Sequence, residues 1–329
     1  MNRLAIIGGG AWGTALATVA RRAGSLAVVW ARDPDVVKAI NERHENPFFL
    51  PEVPLDPEIT ATSELREAIE GAEAALLAVP AQFLRSVLNL LACRIPQALP
   101  VLHCAKGIEA HSLRTMSEVA AEILPDSPWA VLSGPSFAAE VARDWPTAIT
   151  IASRDATLAR AFIAALGSAR FRPYLSEDPT GVEIGGAVKN VLAIACGIVV
   201  GRGLGDNARA ALITRGLAEM IRLGAAKGAR AETFRGLSGL GDLVLTCSST
   251  KSRNYGLGVA LGRGEKLEAA LHRSRSVIEG VATAAAVARL GERLDIEMPI
   301  CQAVDALLHR GESIDAMIDL LLRRPYRTE

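Results

Sequence analysis

The segment Gly8-Gly9-Gly10-Ala11-Trp12-Gly13, set directly after the apolar run Leu4-Ala5-Ile6-Ile7, constrains this chain more than any other. A short buried strand, a tight glycine turn and a helix beginning near Thr14 is the order that holds a dinucleotide pyrophosphate. Gly8 permits the turn, Gly10 has no side chain to keep the backbone from the phosphates, and Gly13 lets helix and strand pack closely. The helix N-terminus adds free N–H groups for the anion. Glycine-rich turns are common, so the flanking strand and helix carry the inference.

The rest of the first half continues an alternation of strands and helices. Leu26–Trp30, Ala74–Val79, Leu99–Cys104, Ala130–Leu132 and Thr147–Ala152 read as strands, with helical patterns at Pro34–Arg43 and Ser112–Ile123. This order predicts a mainly parallel sheet with helices on both faces. The four prolines between Pro47 and Pro57 predict a surface loop. From about Thr180 the strand signal stops, and helices are predicted over Gly181–Val200, Ala208–Lys227, Ser276–Leu290 and Met298–His309. Asp206 or Asn207 is the expected N-cap of the second of these, and Gly228 its glycine terminator. The expected fold is α/β: a doubly wound Rossmann-type NAD(P)-binding domain over residues 1–179, then an all-α substrate domain over 180–329.

Several function classes are set aside by composition. The 36 basic and 36 acidic residues cancel, so no global field draws the chain to nucleic acid or anionic lipid, and any anion site must be local. Val191–Gly201, the longest apolar stretch, is shorter than the ~18 residues of a membrane span, and the N-terminus lacks the features of a secretory signal. The five cysteines are scattered and never in CxxC, which fits reduced thiols in cytoplasm. The five histidines have no metal spacing, and there is no Walker A sequence.

Candidate chemistry lies at a few polar interruptions. At Trp30-Ala31-Arg32-Asp33 an acid would bond the ribose 2′-hydroxyl of NAD and an arginine the 2′-phosphate of NADP; Asp33 before Pro34 also reads as a helix N-cap. Arg32 comes first, which leans toward NADP with NAD still open. Lys106 follows a strand end and can reach an anionic substrate or sit in a solvated loop. Ser133-Gly134-Pro135-Ser136-Phe137 offers hydroxyls and glycine backbone. Lys189-Asn190 interrupts an otherwise apolar helix. A buried lysine loses charge readily, and one tuned toward neutrality suits a proton carrier acting on an alcohol or ketone. It could equally snorkel or pair with Glu183. Asp242 lies among glycines and apolar residues, where it can contact substrate, hold Lys189 or cap a helix. Thr250-Lys251-Ser252-Arg253-Asn254 gathers the donors a phosphate dianion needs, or is a polar surface turn.

Taken together, these segments resemble the bacterial NAD(P)-dependent glycerol-3-phosphate dehydrogenase family, in order across nearly the whole chain. The resemblance is carried by the glycine turn through Ala15, Trp30-Ala31-Arg32, Lys106-Gly107-Ile108-Glu109 and Ser133–Ala138. It continues with Gly186–Val191, Asn207–Gly216, Gly239-Leu240-Gly241-Asp242 and Ser252-Arg253-Asn254. It implies that Ala11, Trp12, Arg32, Lys106, Ala138, Arg253, Val277 and Glu279 line the cofactor. It also implies that Lys106, Gly134, Ser136, Lys189, Asp242, Ser252, Arg253 and Asn254 hold the substrate, with Lys189 the proton acceptor. The expected activity is NAD(P)H-dependent reduction of dihydroxyacetone phosphate to sn-glycerol 3-phosphate, a phospholipid precursor, without a metal; a homodimer stays open. A reductase of a hydroxy acid and a non-catalytic dinucleotide sensor are the rival readings. The chain departs from the family at Val200 and Arg202, where an acid and an apolar residue are usual, and at Gly9, where alanine is common.

Overall fold

The computed structural model describes residues 1–96, 98–274 and 276–323, so the last six positions of the expected second domain lie outside it. Buried, β-branched and alanine-rich runs form an eight-stranded sheet in the order β10-β9-β8-β7-β6-β1-β2-β5. Its strands are β1 Arg3–Ile7, β2 Leu26–Trp30, β5 Thr60–Thr62, β6 Ala74–Leu77, β7 Val101–His103, β8 Trp129–Ser133, β9 Thr147–Ala152 and β10 Phe171–Ser176. All neighbours are parallel except β8 and β9. The order reverses between β1 and β6, and at such a switch point a crevice opens beyond the carboxyl ends of the strands.

Helices α1 Ala11–Arg22, α2 Pro34–Arg43, α3 Leu65–Ile69, α4 Leu84–Ala92, α5 Met116–Ile123, α6 Ala138–Ala142 and α7 Ala156–Leu166 intersperse these strands. One sheet face buries Leu4, Ile6 and Val29 with Leu16 and Phe162. The other buries Ala5, Ile7 and Leu77 with Leu84, Leu88 and Val119. The alternate residues of β1 thus feed two separate cores, as a sheet covered on both faces requires.

Two strands escape the sequence pattern. β5 has only three residues, and β10 reads Phe-Arg-Pro-Tyr-Leu-Ser, its Pro173 tolerated because β10 is an edge. The proline-rich segment expected as a surface loop instead contains β4 Leu50–Pro54, paired antiparallel with β3 Glu45–Asn46. Leu50, Val53 and Leu55 anchor that hairpin in the core, and burial of these three outweighs the turn bias of the prolines.

After Ser176 the chain is helical: α8 Pro179–Gly201, α9 Gly205–Ala226, α10 Asp242–Cys247, α11 Arg253–Gly262, α12 Leu267–His272, α13 Glu279–Arg293, α14 Pro299–His309 and α15 Ile314–Leu322. α9 starts earlier than expected: its N-cap is Leu204, which makes no side-chain capping bond, so neither Asp206 nor Asn207 caps it. Gly203 and Gly205, both at positive φ, turn the chain into the helix in place of a capping side chain. Gly228, at φ 81°, terminates it as expected.

α8 is long and apolar enough to cross a bilayer by length and composition, although its longest uninterrupted apolar run is shorter. In the fold 89% of its 18-residue apolar window is buried, packed by α9, α10, α11, α13 and α14. α11 lies beside it in backbone contact: a Cβ on Gly197 would come within 2.2 Å of the Tyr255 carbonyl oxygen, and one on Gly258 within 2.1 Å of that of Ile194. The glycine pairs Gly197/Gly201 and Gly258/Gly262 form this seam. Arg202, just past the end of α8, forms a solvent-exposed ion pair with Asp315 on α15.

Candidate active site

At the end of β1 the chain enters Gly8 with φ 129° and closes over β6, where a Cβ on Gly8 would lie 2.7 Å from the Ala78 carbonyl oxygen. Gly13 faces back onto the same turn, and its Cβ would stand 1.8 Å from the Gly8 oxygen, so the close packing read from the motif is real. Gly10 differs: a Cβ there meets nothing within 4 Å. Ala11 and the half-buried Trp12 open α1 beside it. Asp33 caps α2 through the Asp35 N–H at 3.0 Å with Pro34 behind it, so that carboxylate has the capping role. Arg32 is exposed and makes no hydrogen bond or ion pair among the described residues.

The second cluster is built across the two halves of the chain. Lys189, 6% exposed on α8, donates to Asp242 Oδ1 at 2.7 Å and to Thr246 Oγ1 at 2.9 Å. The other oxygen of Asp242 accepts from Lys106 Nζ at 2.7 Å, and the same ammonium donates to the Gly134 carbonyl at 2.9 Å. Glu183 is not the lysine's partner: its carboxylate accepts the Ser117 N–H at 2.8 Å and the Ser117 hydroxyl, anchoring α5 to α8. Asp242 is delivered by a wide turn at Leu237–Gly241, closed by a Gly241 N–H to Gly236 carbonyl bond of 3.1 Å. That turn rests on α8 where Gly185 would otherwise place a Cβ 2.5 Å from the Ser238 oxygen.

Electrostatics follow from this geometry. Burial pushes the Lys189 ammonium down to about 8, against the opposing pull of Asp242. Burial also works against the Asp242 charge, yet Lys106 and Lys189 on either side hold its carboxyl below the usual range. The cluster therefore presents two amines to one carboxylate, a local positive excess in a chain of zero formal net charge.

Asn190, next to the lysine, donates to the Lys106 carbonyl at 3.1 Å and accepts from the Asn254 amide at 2.9 Å. Asn254 in turn accepts the Gly280 N–H at 2.9 Å, so much of its amide is committed to joining α8, α11 and α13. Ser252 caps α11 by accepting the Tyr255 N–H, which leaves its hydroxyl proton free to donate. Arg253 donates to the Val277 carbonyl at 2.6 Å. Ser136 turns back onto the Gly134 carbonyl at 2.9 Å, and Ala138 begins α6 just beyond it. Glu279 accepts the Ala81 N–H at 3.0 Å, while its second oxygen, beside Gly107, is buried without a partner among the described residues; burial raises this carboxyl to about 7. The structure thus joins Lys106, Gly134, Lys189 and Asp242 directly, and Asn254 through Asn190. It adds Thr246 and Asn190, to which the sequence reading gave no role. Thr246 follows Asp242 by four residues, and that helical spacing is the signal that could have found it.

A side-chain-free Gly10 at the helix start, and beside Ala81 and Gly107 a Glu279 oxygen with no partner among the described residues, fit a dinucleotide laid across the switch point. Among the described residues no group of three or more His, Cys, Asp or Glu could hold a metal ion. A doubly wound sheet whose Lys106 reaches across to Asp242, the partner of the buried Lys189 in the helical half, is an arrangement that suits a nicotinamide-dependent dehydrogenase of the two-domain type. The models of the NAD-dependent glycerol-3-phosphate dehydrogenase N-terminus and C-terminus match residues 3–159 and 178–319. A glycerol-3-phosphate dehydrogenase [NAD(P)+] of Rhodospirillum rubrum is 57% identical over 329 residues, covering 100% of this chain and 94% of its own. That of Caulobacter vibrioides is 53% identical, covering 100% and 99%. The crystal structure of glycerol-3-phosphate dehydrogenase from Coxiella burnetii superposes with a TM-score of 0.95 at 40% identity, covering 98% of this chain and 99% of its own. The chain belongs to the NAD-dependent glycerol-3-phosphate dehydrogenase family and is an oxidoreductase.

Proposed function

We propose that Lys189 carries the proton in the NAD(P)H-dependent reduction of dihydroxyacetone phosphate to sn-glycerol 3-phosphate, the reaction this chain catalyses as a member of its family. The observation that carries this reading is the buried Lys189 ammonium, held at 2.7 Å by Asp242 and titrating at about 8. The nicotinamide, when bound, supplies or takes the hydride. In reduction Lys189 gives its proton to the C2 oxygen, and in oxidation its neutral amine takes the C2 hydroxyl proton. Asp242 holds Lys189 and Lys106 in place, and Lys106, Gly134 and Ser136 line the carbonyl end. Ser252, Arg253 and Asn254 hold the phosphate, Arg253 as the bidentate partner. Ala11, Trp12, Arg32, Ala138, Val277 and Glu279 line the cofactor together with Lys106, Arg253, Gly8, Gly10 and Gly13.

This assignment fixes a pH dependence. The rate of glycerol 3-phosphate oxidation rises with pH through about 8, where Lys189 loses its proton, and the rate of ketone reduction falls through the same range. Asp242 favours the charged amine, so Asp242→Asn shifts both midpoints to lower pH. Initial rates of each direction against pH check this, and a shift upward would contradict the pairing.

The exposed Arg32, free of partners among the described residues while Asp33 is occupied in its cap, supports a preference for NADPH over NADH. Arg32→Ala raises the KM for NADPH about tenfold or more and leaves that for NADH within about twofold, the usual weight of a charge-assisted pair. Equal loss with both cofactors would sink the preference. Division of labour at residues 179/180, a cytoplasmic location, a supply role in phospholipid synthesis and a homodimer complete the proposal. The cytoplasmic location is supported by the scattered thiols and by α8 being buried inside the protein.

A further inference from the structure

Asn46 lies at the base of the β3–β4 hairpin, with no solvent exposure, far in sequence from any residue discussed above as functional. Its amide nitrogen donates to the Gly9 carbonyl at 3.0 Å and to the Thr14 hydroxyl at 2.8 Å. Its oxygen accepts the Phe49 N–H at 3.3 Å, so the hairpin fixes the amide's orientation. Both acceptors belong to the glycine turn and the first turn of α1, and Thr14 is itself fully buried.

We infer that Asn46 is a positioning residue for the cofactor pyrophosphate, holding the Gly9–Gly10 peptide in the orientation that binds the anion. The inference rests on the assignment of the Gly8–Gly13 turn to the pyrophosphate. In a trans peptide the C=O and the following N–H point in opposite directions, and no peptide in the described chain is cis. Fastening the Gly9 carbonyl onto Asn46 therefore aims the Gly10 N–H away from that amide, and a Cβ on the same residue would meet nothing within 4 Å. That N–H has no acceptor among the described residues. The turn cannot hold this plane by itself, because glycines allow the peptide to flip at little steric cost. An inverted plane would turn the Gly9 carbonyl oxygen toward the phosphates and replace attraction by repulsion. The Thr14 bond adds a second point of attachment one turn into α1, so that the Gly10 and helix N–H groups converge on one anion. The hairpin that carries Asn46 is held by the burial of Leu50, Val53 and Leu55, which gives the amide a rigid base.

The test is steady-state kinetics of the full-length enzyme with Asn46→Asp, Asn46→Ala, Thr14→Val and Thr14→Ser. Asn46→Asp keeps the shape, removes both donated bonds and faces the Gly9 carbonyl with an acceptor. The expected result is a KM for NADPH raised about tenfold or more in both Asn46 variants, from loss of bonds that orient a charged contact. The kcat and the KM for dihydroxyacetone phosphate at saturating NADPH stay within about twofold, a split that a general loss of structure does not produce. Thr14→Val follows the same direction, and Thr14→Ser restores parental values. A parallel change of kcat and both KM values, or a fall in Tm alone, overturns the inference. If the Asn46 variants do not fold, the contrast between Thr14→Val and Thr14→Ser decides. A Gly10→Val control separates the two levels of the argument. Unchanged NADPH affinity in that control would remove the turn assignment itself. Lost affinity there, with parental affinity in Asn46→Ala, would remove only the role of Asn46.

Discussion

Lys189→Met lowers kcat by about 10³, within the 10²–10⁴ that positioned proton transfer contributes, and leaves the KM for NADPH within a few-fold of the parent. Methionine matches the unbranched shape and suits the apolar walls of α8, whereas arginine would remain charged at every accessible pH and could not exchange its proton. Losing one member of a buried pair ordinarily costs ~3–5 kcal/mol because a charge is left uncompensated. Here Lys106 stays 2.7 Å from Asp242, so the carboxylate keeps a partner and the variant folds. Stopped-flow or steady-state measurement of dihydroxyacetone phosphate reduction, beside a direct NADPH titration, checks both halves. Turnover above a tenth of the parent, or equal loss of turnover and cofactor affinity, would refute the proton-carrier role.

Gly10→Val weakens cofactor binding by about 10² while leaving Tm nearly unchanged, the size of effect expected when a bound group is displaced by an ångström or more. Gly10 sits at φ −77° and ψ −177°, an extended conformation open to any residue, and its Cβ direction has no neighbour within 4 Å. The fold leaves the Cβ position open, so beyond the small cost of a β-branched N-cap the main group in its path is the bound cofactor. Gly13→Ala gives the opposite pattern in the same motif, because its Cβ would sit 1.8 Å from a backbone oxygen and the helix must move. Thermal unfolding together with NADPH titration separates the two. A large drop in Tm for Gly10→Val would show that this glycine is structural after all.

Much of this arrangement was legible before any coordinates, for physical reasons that differ from residue to residue. Lys189 announced itself because a charge inside a run such as Gly185–Ala195 has to be compensated somewhere. The glycine turn was legible because backbone–backbone approach leaves no alternative residue. What the sequence left open was which acid, Glu183 or Asp242, is the partner. Glu183, two turns earlier on the same helix, was a reasonable candidate, and only the approach of α10 across α8 shows Asp242 in that place. Thr246 carried no signal of its own, and its role follows from the helix register that puts it beside Asp242. Asn46 was hidden by its neighbours, since four nearby prolines outweigh a single asparagine in any local reading. β10 was missed because local propensity scores its Pro173 as a breaker, whereas an edge position leaves one side of the strand without ladder bonds to lose.

The glycine seam between α8 and α11 has a further meaning once both ends of the substrate are assigned. Lys189 and Arg253 both stand ahead of the seam, where Asn190 and Asn254 meet, and beyond them the two backbones run in contact at Gly197 and Gly258. Flexible side chains could let that spacing breathe; interlocked main chains cannot. Under the proposed roles, proton carrier and phosphate clamp ride on helices that cannot slide past one another, so their spacing is set by main-chain contact rather than by side-chain rotamers.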